Sequence, residues 1–153
     1  ETTAELWDRL ANIGADLLIK TLNNLSDITP KPQDHEQATY APLINKSVGR
    51  IDWNQPANNI HNLVRGCISW PVAHCGFRGQ VMKVWRSKVL ELNIDSPAGT
   101  IIQIKPLPVV ATGQGALELQ EIQLPGKKRC DASALTNGFQ ITIGESLSLP
   151  EPS

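Results

Sequence analysis

The chain has 153 residues, 41% hydrophobic and 19% charged, with a formal net charge of -1, which fits one ordinary domain with one modest core. Glycine and proline use is near average and no apolar run approaches the roughly 20 residues that cross a bilayer, so fibrous, disordered and membrane-spanning classes are excluded. Three cysteines, Cys67, Cys75 and Cys130, are too few and odd in number for a disulfide framework, and no secretory segment stands near the start. Free thiols in a reducing, cytosol-like compartment are expected. The opening Glu1-Thr2-Thr3, with Met82 the only methionine, predicts a piece of something longer.

The first element is a helix, since Leu6, Leu10, Ile13 and Leu17 recur at helical spacing and Leu18, Leu22 and Leu25 extend the stripe. Thr2 and Glu5 form a capping box at its start, and Asn23, Asn24, Ser26, Asp27 and Pro30 end it. So apolar a stripe needs a partner, and little near it in sequence offers one, so the helix is expected to belong to an upstream domain. Residues 27–38 read as a connector, followed by a short strand or extended run at Thr39 to Lys46. Asn54-Gln55-Pro56 opens a second helix with Ala57, Ile60, Leu63 and Val64 on its apolar face and Gly66 as its stop.

After Pro71 short strands alternate with turns: Val81 to Val89, Gly99 to Lys105, Val109 to Thr112 and Ala116 to Leu124, the last two joined by Gly113-Gln114-Gly115. In the last of these Leu117 and Leu119 are out of step with Ile122 and Leu124, a slip that predicts a bulge and a sheet curled towards a small barrel. A short helix near Ala132 to Leu135 leads to a final Ile141, Ile143 strand. The fold class is mainly β with helices (α+β), built on a small open OB-like Greek-key barrel.

Local chemistry does not describe an enzyme. His35, His61 and His74 stand at no recognisable spacing from a nucleophile and an acid, and there is no GxGxxG, P-loop or GxSxG. Cys67, His74 and Cys75 could converge on a metal, but with no CxxC or HxxxH pair structural roles are the commoner case, and no metal or catalytic residue is assigned. Asp52 beside Trp53 reads as a structural carboxylate near a helix N-terminus.

Charge is more informative. Residues 1–64 carry five basic against eight acidic side chains, residues 65–130 carry nine basic against four acidic, and residues 131–153 carry three acids and no base. A basic middle between acidic ends points to a polyanion-facing surface, or else to a solvated mixed-charge face. Lys127, Lys128 and Arg129 are adjacent cations on a strand-to-helix turn, and Lys83, Arg86 and Lys88 lie along a neighbouring strand. OB-like barrels track a phosphate backbone with such a face, though they also host sugars and proteins. Trp85 could stack on a base, but packing is the commoner role of a large aromatic in a small barrel.

Gln33-Asp34, Ala38-Thr39-Tyr40-Ala41-Pro42, Ile44-Asn45-Lys46, Gly49-Arg50-Ile51-Asp52-Trp53, Val64-Arg65-Gly66 and Trp70-Pro71 resemble the second half of the methionyl-tRNA formyltransferase family. The resemblance continues in order through Gly79 to Trp85, Val110-Ala111-Thr112-Gly113-Gln114-Gly115 and Gln123-Leu124-Pro125-Gly126-Lys127-Lys128. It departs at Ile68-Ser69 before Trp70-Pro71, at Pro125, and at Arg129, where the family has a small or apolar residue. The resemblance implies that residues 1–50 are the last helix, connector and strand of an upstream Rossmann-type catalytic domain, and that residues 51–153 are an OB-like C-terminal domain holding initiator tRNA. It further implies 10-formyltetrahydrofolate as co-substrate of the whole enzyme, no cofactor in this stretch, and a bacterial cytoplasmic or organellar setting without a membrane.

The family's Asn, His and Asp set and its Ser-Leu-Leu-Pro loop have no counterpart here, so this chain alone is expected to be inactive. Lys83, Lys127 and Lys128 match basic positions of the family's barrel, and Arg65 its basic helix end. The candidate tRNA-binding residues are therefore Lys127, Lys128, Arg129, Lys83, Arg86, Lys88 and Arg65. A domain of a formyltetrahydrofolate dehydrogenase or a sugar formyltransferase, and a stand-alone interaction module, remain as alternatives.

Overall fold

The computed structural model describes residues 1–148, and the chain divides into two compact units, Glu1–Ile44 and Asn45–Ser153. The first is dominated by α1 (Thr3–Asn23). Its capping box forms: Thr2 Oγ1 accepts from the Glu5 amide at 3.4 Å, and the Glu5 carboxylate accepts from the Thr2 amide at 2.7 Å. These bonds satisfy donors that the first turn would otherwise leave open, and Thr2 holds the Glu5 carboxyl below its ordinary pKa. No residue of α1 is buried, and Leu10, Ile13, Leu17, Leu18 and Leu22 are all exposed.

Of the short strand or extended run expected over Thr39 to Lys46, the strand does not form. Residues 38–45 carry no regular structure and Lys46–Gly49 is a 3-10 turn. Pro42 lacks a ladder donor, and the Asn45 side chain accepts from the Ser47 amide at 3.0 Å, which bends the chain where a strand would continue.

In the second unit α2 spans Ala57–Gly66 and buries Ala57, Ile60 and Val64. Its entry is fixed from both sides in sequence. Asp52 accepts from the backbone and side-chain nitrogens of Asn54, which lowers the Asp52 pKa, and the Ala57 amide donates to the Gln114 carbonyl at 2.9 Å. The strands are β1 (Ala73–Phe77), β2 (Gln80–Leu90), β3 (Ile101–Gln103), β4 (Val109–Ala111), β5 (Ala116–Gln123) and β6 (Cys130–Asp131), followed by α3 (Ser133–Phe139). All pairings are antiparallel, in the order β1-β2-β5-β4-β3 with β6 added on β5. Ile51, Trp53, Met82, Val84, Leu117, Leu119, Ile122 and Leu135 lie in the core between sheet and helices.

The strands do not close this sheet into a barrel, so of the OB-like expectation the curled antiparallel sheet is present and the strand closure is not. The strand expected at Ile141 and Ile143 does not form either. Gln140 adopts a left-handed conformation (φ 48), and pairing begins only beyond Ile143. There the backbone of residues 144–148 bonds the β3 side, at Gly99 and Ile101, and the β1 side, at Gly76, with N···O distances of 2.8 to 3.1 Å. One short segment thus meets both outer strands of the sheet, β3 and β1, through isolated bridges at Ser146 and Ser148.

That segment is held by Arg78. Arg78 and Gly79, both at positive φ, make the turn between β1 and β2, as a two-residue hairpin requires. The Arg78 guanidinium reaches across the chain to the Glu145 carboxylate at 2.6 and 2.9 Å and to the Phe139 carbonyl at 2.8 Å. These bonds hold the Glu145 carboxyl below its ordinary pKa of 4.5. A carboxyl with a depressed folded-state pKa stabilises above its unfolded value, and that contribution is lost as pH falls through the folded value. Arg78→Lys, which cannot reproduce the planar fork, is expected to lower the urea midpoint at pH 7 and to flatten the fall in stability below about pH 4.5. An unchanged acid limb would show that Glu145 gains nothing from Arg78.

Candidate nucleic-acid interface

Along β2, Met82 and Val84 are buried while Lys83 is exposed, as alternation on a strand demands. Continued without interruption, that alternation would turn Arg86 and Lys88 towards the core. The register with β5 shifts instead, with Val84 opposite Ile122, Arg86 opposite Glu121 and Ser87 opposite Leu119. Trp85 is the extra residue on β2 and Gln120 the extra one on β5. The slip seen in the sequence of β5 is thus a pair of compensating irregularities, and their effect is chemical: Ser87 is buried while Arg86 and Lys88 join Lys83 in solvent.

Opposite these cations on β5 stand Gln123 (to Lys83), Glu121 (to Arg86) and Glu118 (to Lys88). The chain then turns through Pro125 and Gly126, the latter at φ +68 where a β-carbon is disfavoured, and the Lys127 amide closes the turn on the Leu124 carbonyl at 3.0 Å. Lys127 and Lys128 are exposed, and neither forms an ion pair among the described residues. The same holds for Lys83, Arg86 and Lys88.

Arg129 is held differently. Its guanidinium pairs with Glu121, through Nε at 2.9 Å and through Nη2, and lies 4.9 Å from the centroid of the Trp85 ring. Trp85 Nε1 donates to Gln123 Oε1 at 3.1 Å, and Gln123 Nε2 donates to the Lys127 carbonyl at 3.0 Å. Trp85 is therefore not a core packing residue. It is half-buried, because the register shift carries it to the surface beneath Arg129.

The structure thus joins Lys83, Arg86, Lys127 and Arg129 through the β2–β5 pairing, with Lys88 at the far end of the same row. Arg65 comes from a different element, the last turn of α2, where it is half-buried and donates to Asn62 Oδ1. His61 on that helix bonds Ser87 at 3.0 Å, and Ser87 alternates with Arg86 and Lys88 and so faces away from them. Burial, with the nearby charge of Arg65, lowers the His61 pKa. Gln123 and Glu121 belong to the site and escape the sequence reading; cross-strand position opposite a cation is the signal that finds them. Among the described residues no three His, Cys, Asp or Glu side chains could hold a metal ion, and burial pushes the Cys75 thiol up to about 12.

The second unit is thus a bulged antiparallel sheet with a row of exposed cations on β2 and on the turn after β5, and α2 packs on the side of Ser87. Residues 43–140 match the family described as formyl transferase, C-terminal domain, and the chain belongs to that family. Its curated relatives include the methionyl-tRNA formyltransferases of Solibacter usitatus, 48% identical over 96% of this chain, and Alkaliphilus oremlandii, also 48% identical over 96%. The chain spans about half the length of the curated relatives it matches, 48% of each of these two. Among solved structures it is similar to HypX from Aquifex aeolicus. One variant has a TM-score of 0.66 at 16% identity over 95% of this chain and 27% of that one. A HypX complex with tetrahydrofolic acid has a TM-score of 0.59 at 18% identity over 86% of this chain and 24% of that one. At such identities the likeness is one of fold.

Proposed function

We propose that this chain is the C-terminal region of a methionyl-tRNA formyltransferase and that it holds initiator tRNA by its sugar-phosphate backbone. The whole enzyme would move a formyl group from 10-formyltetrahydrofolate to the amino group of the methionine carried by that tRNA. The amine attacks only when neutral, and the residues that manage its proton belong to the catalytic domain. Residues 1–50 would complete that domain, whose body would cover the apolar stripe of α1, and residues 51–153 would form the tRNA-holding domain. The setting would be the cytoplasm of a bacterium or an organelle. Among the described residues no helix is long and apolar enough to cross a membrane.

The observation that carries this reading is the cationic row. Lys83, Arg86, Lys88, Lys127, Lys128 and Arg129 stand beside three acids of the paired strands, Glu118, Glu121 and Asp131, on a chain whose net charge is -1. A folate or sugar substrate gives no reason for so many cations on one strand pair and its turn, whereas a nucleic-acid backbone does. Arg65 would add a contact from the end of α2. Such contacts position the tRNA without reading its sequence. Binding of initiator tRNA to the 153-residue chain should therefore weaken by more than about tenfold between 50 and 200 mM salt. Salt-independent binding, or none at 50 mM, would overturn the reading. The chain alone should produce no formylmethionyl-tRNA when supplied with co-substrate and charged tRNA, and measurable turnover would show that a formyl-transfer centre lies within these residues.

A further inference from the structure

Resting on that reading, we infer that Trp85, Gln123 and Arg129 are positioning residues that hold the basic turn in its binding conformation, and that Arg129 is not itself a phosphate contact. The geometry gives each of them an internal partner. A glutamine is suited to the middle place, because the indole N–H can only donate and the Lys127 carbonyl can only accept. Gln123 meets both demands at once, accepting from Trp85 at 3.1 Å and donating to Lys127 at 3.0 Å. Arg129 closes the turn from its other end, paired with Glu121 and laid over the Trp85 ring. The turn is thus tied at both ends to one indole ring. Lys127 and Lys128, between the ties, carry no ion pair among the described residues.

Holding the turn matters because Lys127 and Lys128 lie on a loop whose own restraints are few. Between Gln123 and Arg129, inside the Ile122–Cys130 pair of β5 and β6, the Lys127 amide bond to the Leu124 carbonyl is the backbone bond that shapes it among the described residues. Fixing the loop before binding lowers the ordering entropy that association must overcome. Glu121 already offsets the charge of Arg129 and engages its Nε and Nη2, which weakens its pull on a phosphate, whereas Lys127 and Lys128 carry no ion pair among the described residues.

The test is the affinity and salt slope of initiator tRNA binding to the 153-residue chain, measured by fluorescence anisotropy for Trp85→Phe, Gln123→Ala, their double variant and Arg129→Ala. Trp85→Phe keeps an aromatic ring beneath Arg129 and removes the N–H together with the five-membered ring that carries it. A positioning role predicts a loss of about threefold to tenfold for either single change and no further loss in the double variant, since both break one chain of bonds. It also predicts faster hydrogen exchange at the Lys127 amide of free Trp85→Phe, with the rest of the sheet as protected as before. For Arg129→Ala it predicts weaker binding with an unchanged slope of log affinity against log salt. A lost phosphate contact would instead reduce that slope by about one. Wild-type affinity in both single variants, additive losses, or a reduced slope for Arg129→Ala would overturn the inference. Lys127→Ala/Lys128→Ala separates this failure from failure of the underlying reading. If that double variant binds tRNA like wild type, the turn is not at the interface at all; if it weakens while Trp85→Phe and Gln123→Ala do not, only the positioning role falls.

Discussion

Gly113→Ala is expected to destabilise the protein by at least about 3 kcal/mol, at the top of the range for overpacking and among the larger effects of single substitutions. A β-carbon at Gly113 would sit 1.8 Å from the Asn54 carbonyl oxygen and 2.6 Å from its carbon. Both are backbone atoms, so no side chain can turn away to make room. Retreat of the turn itself is blocked, because the Gly113 amide donates to the carbonyls of Trp53 (2.9 Å) and Gln55 (3.1 Å). Next along the chain, the Gln114 carbonyl receives the first amide of α2, and Thr112 Oγ1 donates within the same turn to the Gln114 carbonyl at 2.8 Å. The clash would therefore reach the buried Trp53 and the start of α2 together. Gly66→Ala is the control, since a β-carbon there meets nothing within 4 Å at the end of a helix, where alanine is the better helix former. Urea denaturation should show a large fall in midpoint for Gly113→Ala and none for Gly66→Ala. Equal midpoints would mean that the Asn54 carbonyl can move aside without loss.

Much of this fold is legible where local chemistry decides it. Whereas α2 starts after Pro56 without the side-chain cap expected from Asn54, its first amide being met by the Gln114 carbonyl, the capping box of α1 and the alternation that marks β2 and β5 follow from side chains acting on their own backbone neighbourhood. The slip between Leu119 and Ile122 is readable for the same reason, although its compensating partner at Trp85 becomes visible only in the cross-strand register. β1 is not legible, because Ala73-His74-Cys75-Gly76-Phe77 has neither alternation nor β-branched residues, and it exists because β2 pairs with it. The strand expected at Ile141 and Ile143 fails by the opposite route. The apolar alternation is present, but the backbone pairs later, at residues 144–148, through bonds that no side-chain pattern encodes. The candidate site divides in the same way. Its cations can be read from charge, while the chain from Trp85 through Gln123 to Lys127 depends on which β5 residue lies across from which β2 residue.

Lys127→Ala/Lys128→Ala is expected to weaken tRNA binding by about tenfold or more near physiological salt and to lower the salt slope by about two, one for each phosphate contact removed. The two lysines can have so large an effect because nothing else in the described structure occupies them. They are exposed and free of ion pairs among the described residues, on a turn shaped by Gly126 and the Leu124 carbonyl rather than by the lysine side chains. Their removal should accordingly leave the thermal midpoint where it is, since no packing or hydrogen bond of the sheet depends on either ammonium group. Initiator and elongator tRNA should lose affinity by the same factor, because a contact to the backbone carries no base information. Arg86→Ala and Lys88→Ala should each act more weakly, since Glu121 and Glu118 stand directly across from them and already offset part of their field. Anisotropy titrations of the two tRNAs at 50, 100 and 200 mM salt measure affinity and slope together. A double variant with wild-type affinity and slope would make the turn a solvated surface feature. A loss confined to initiator tRNA would show that this turn reads sequence or shape, a role that backbone contacts alone cannot supply.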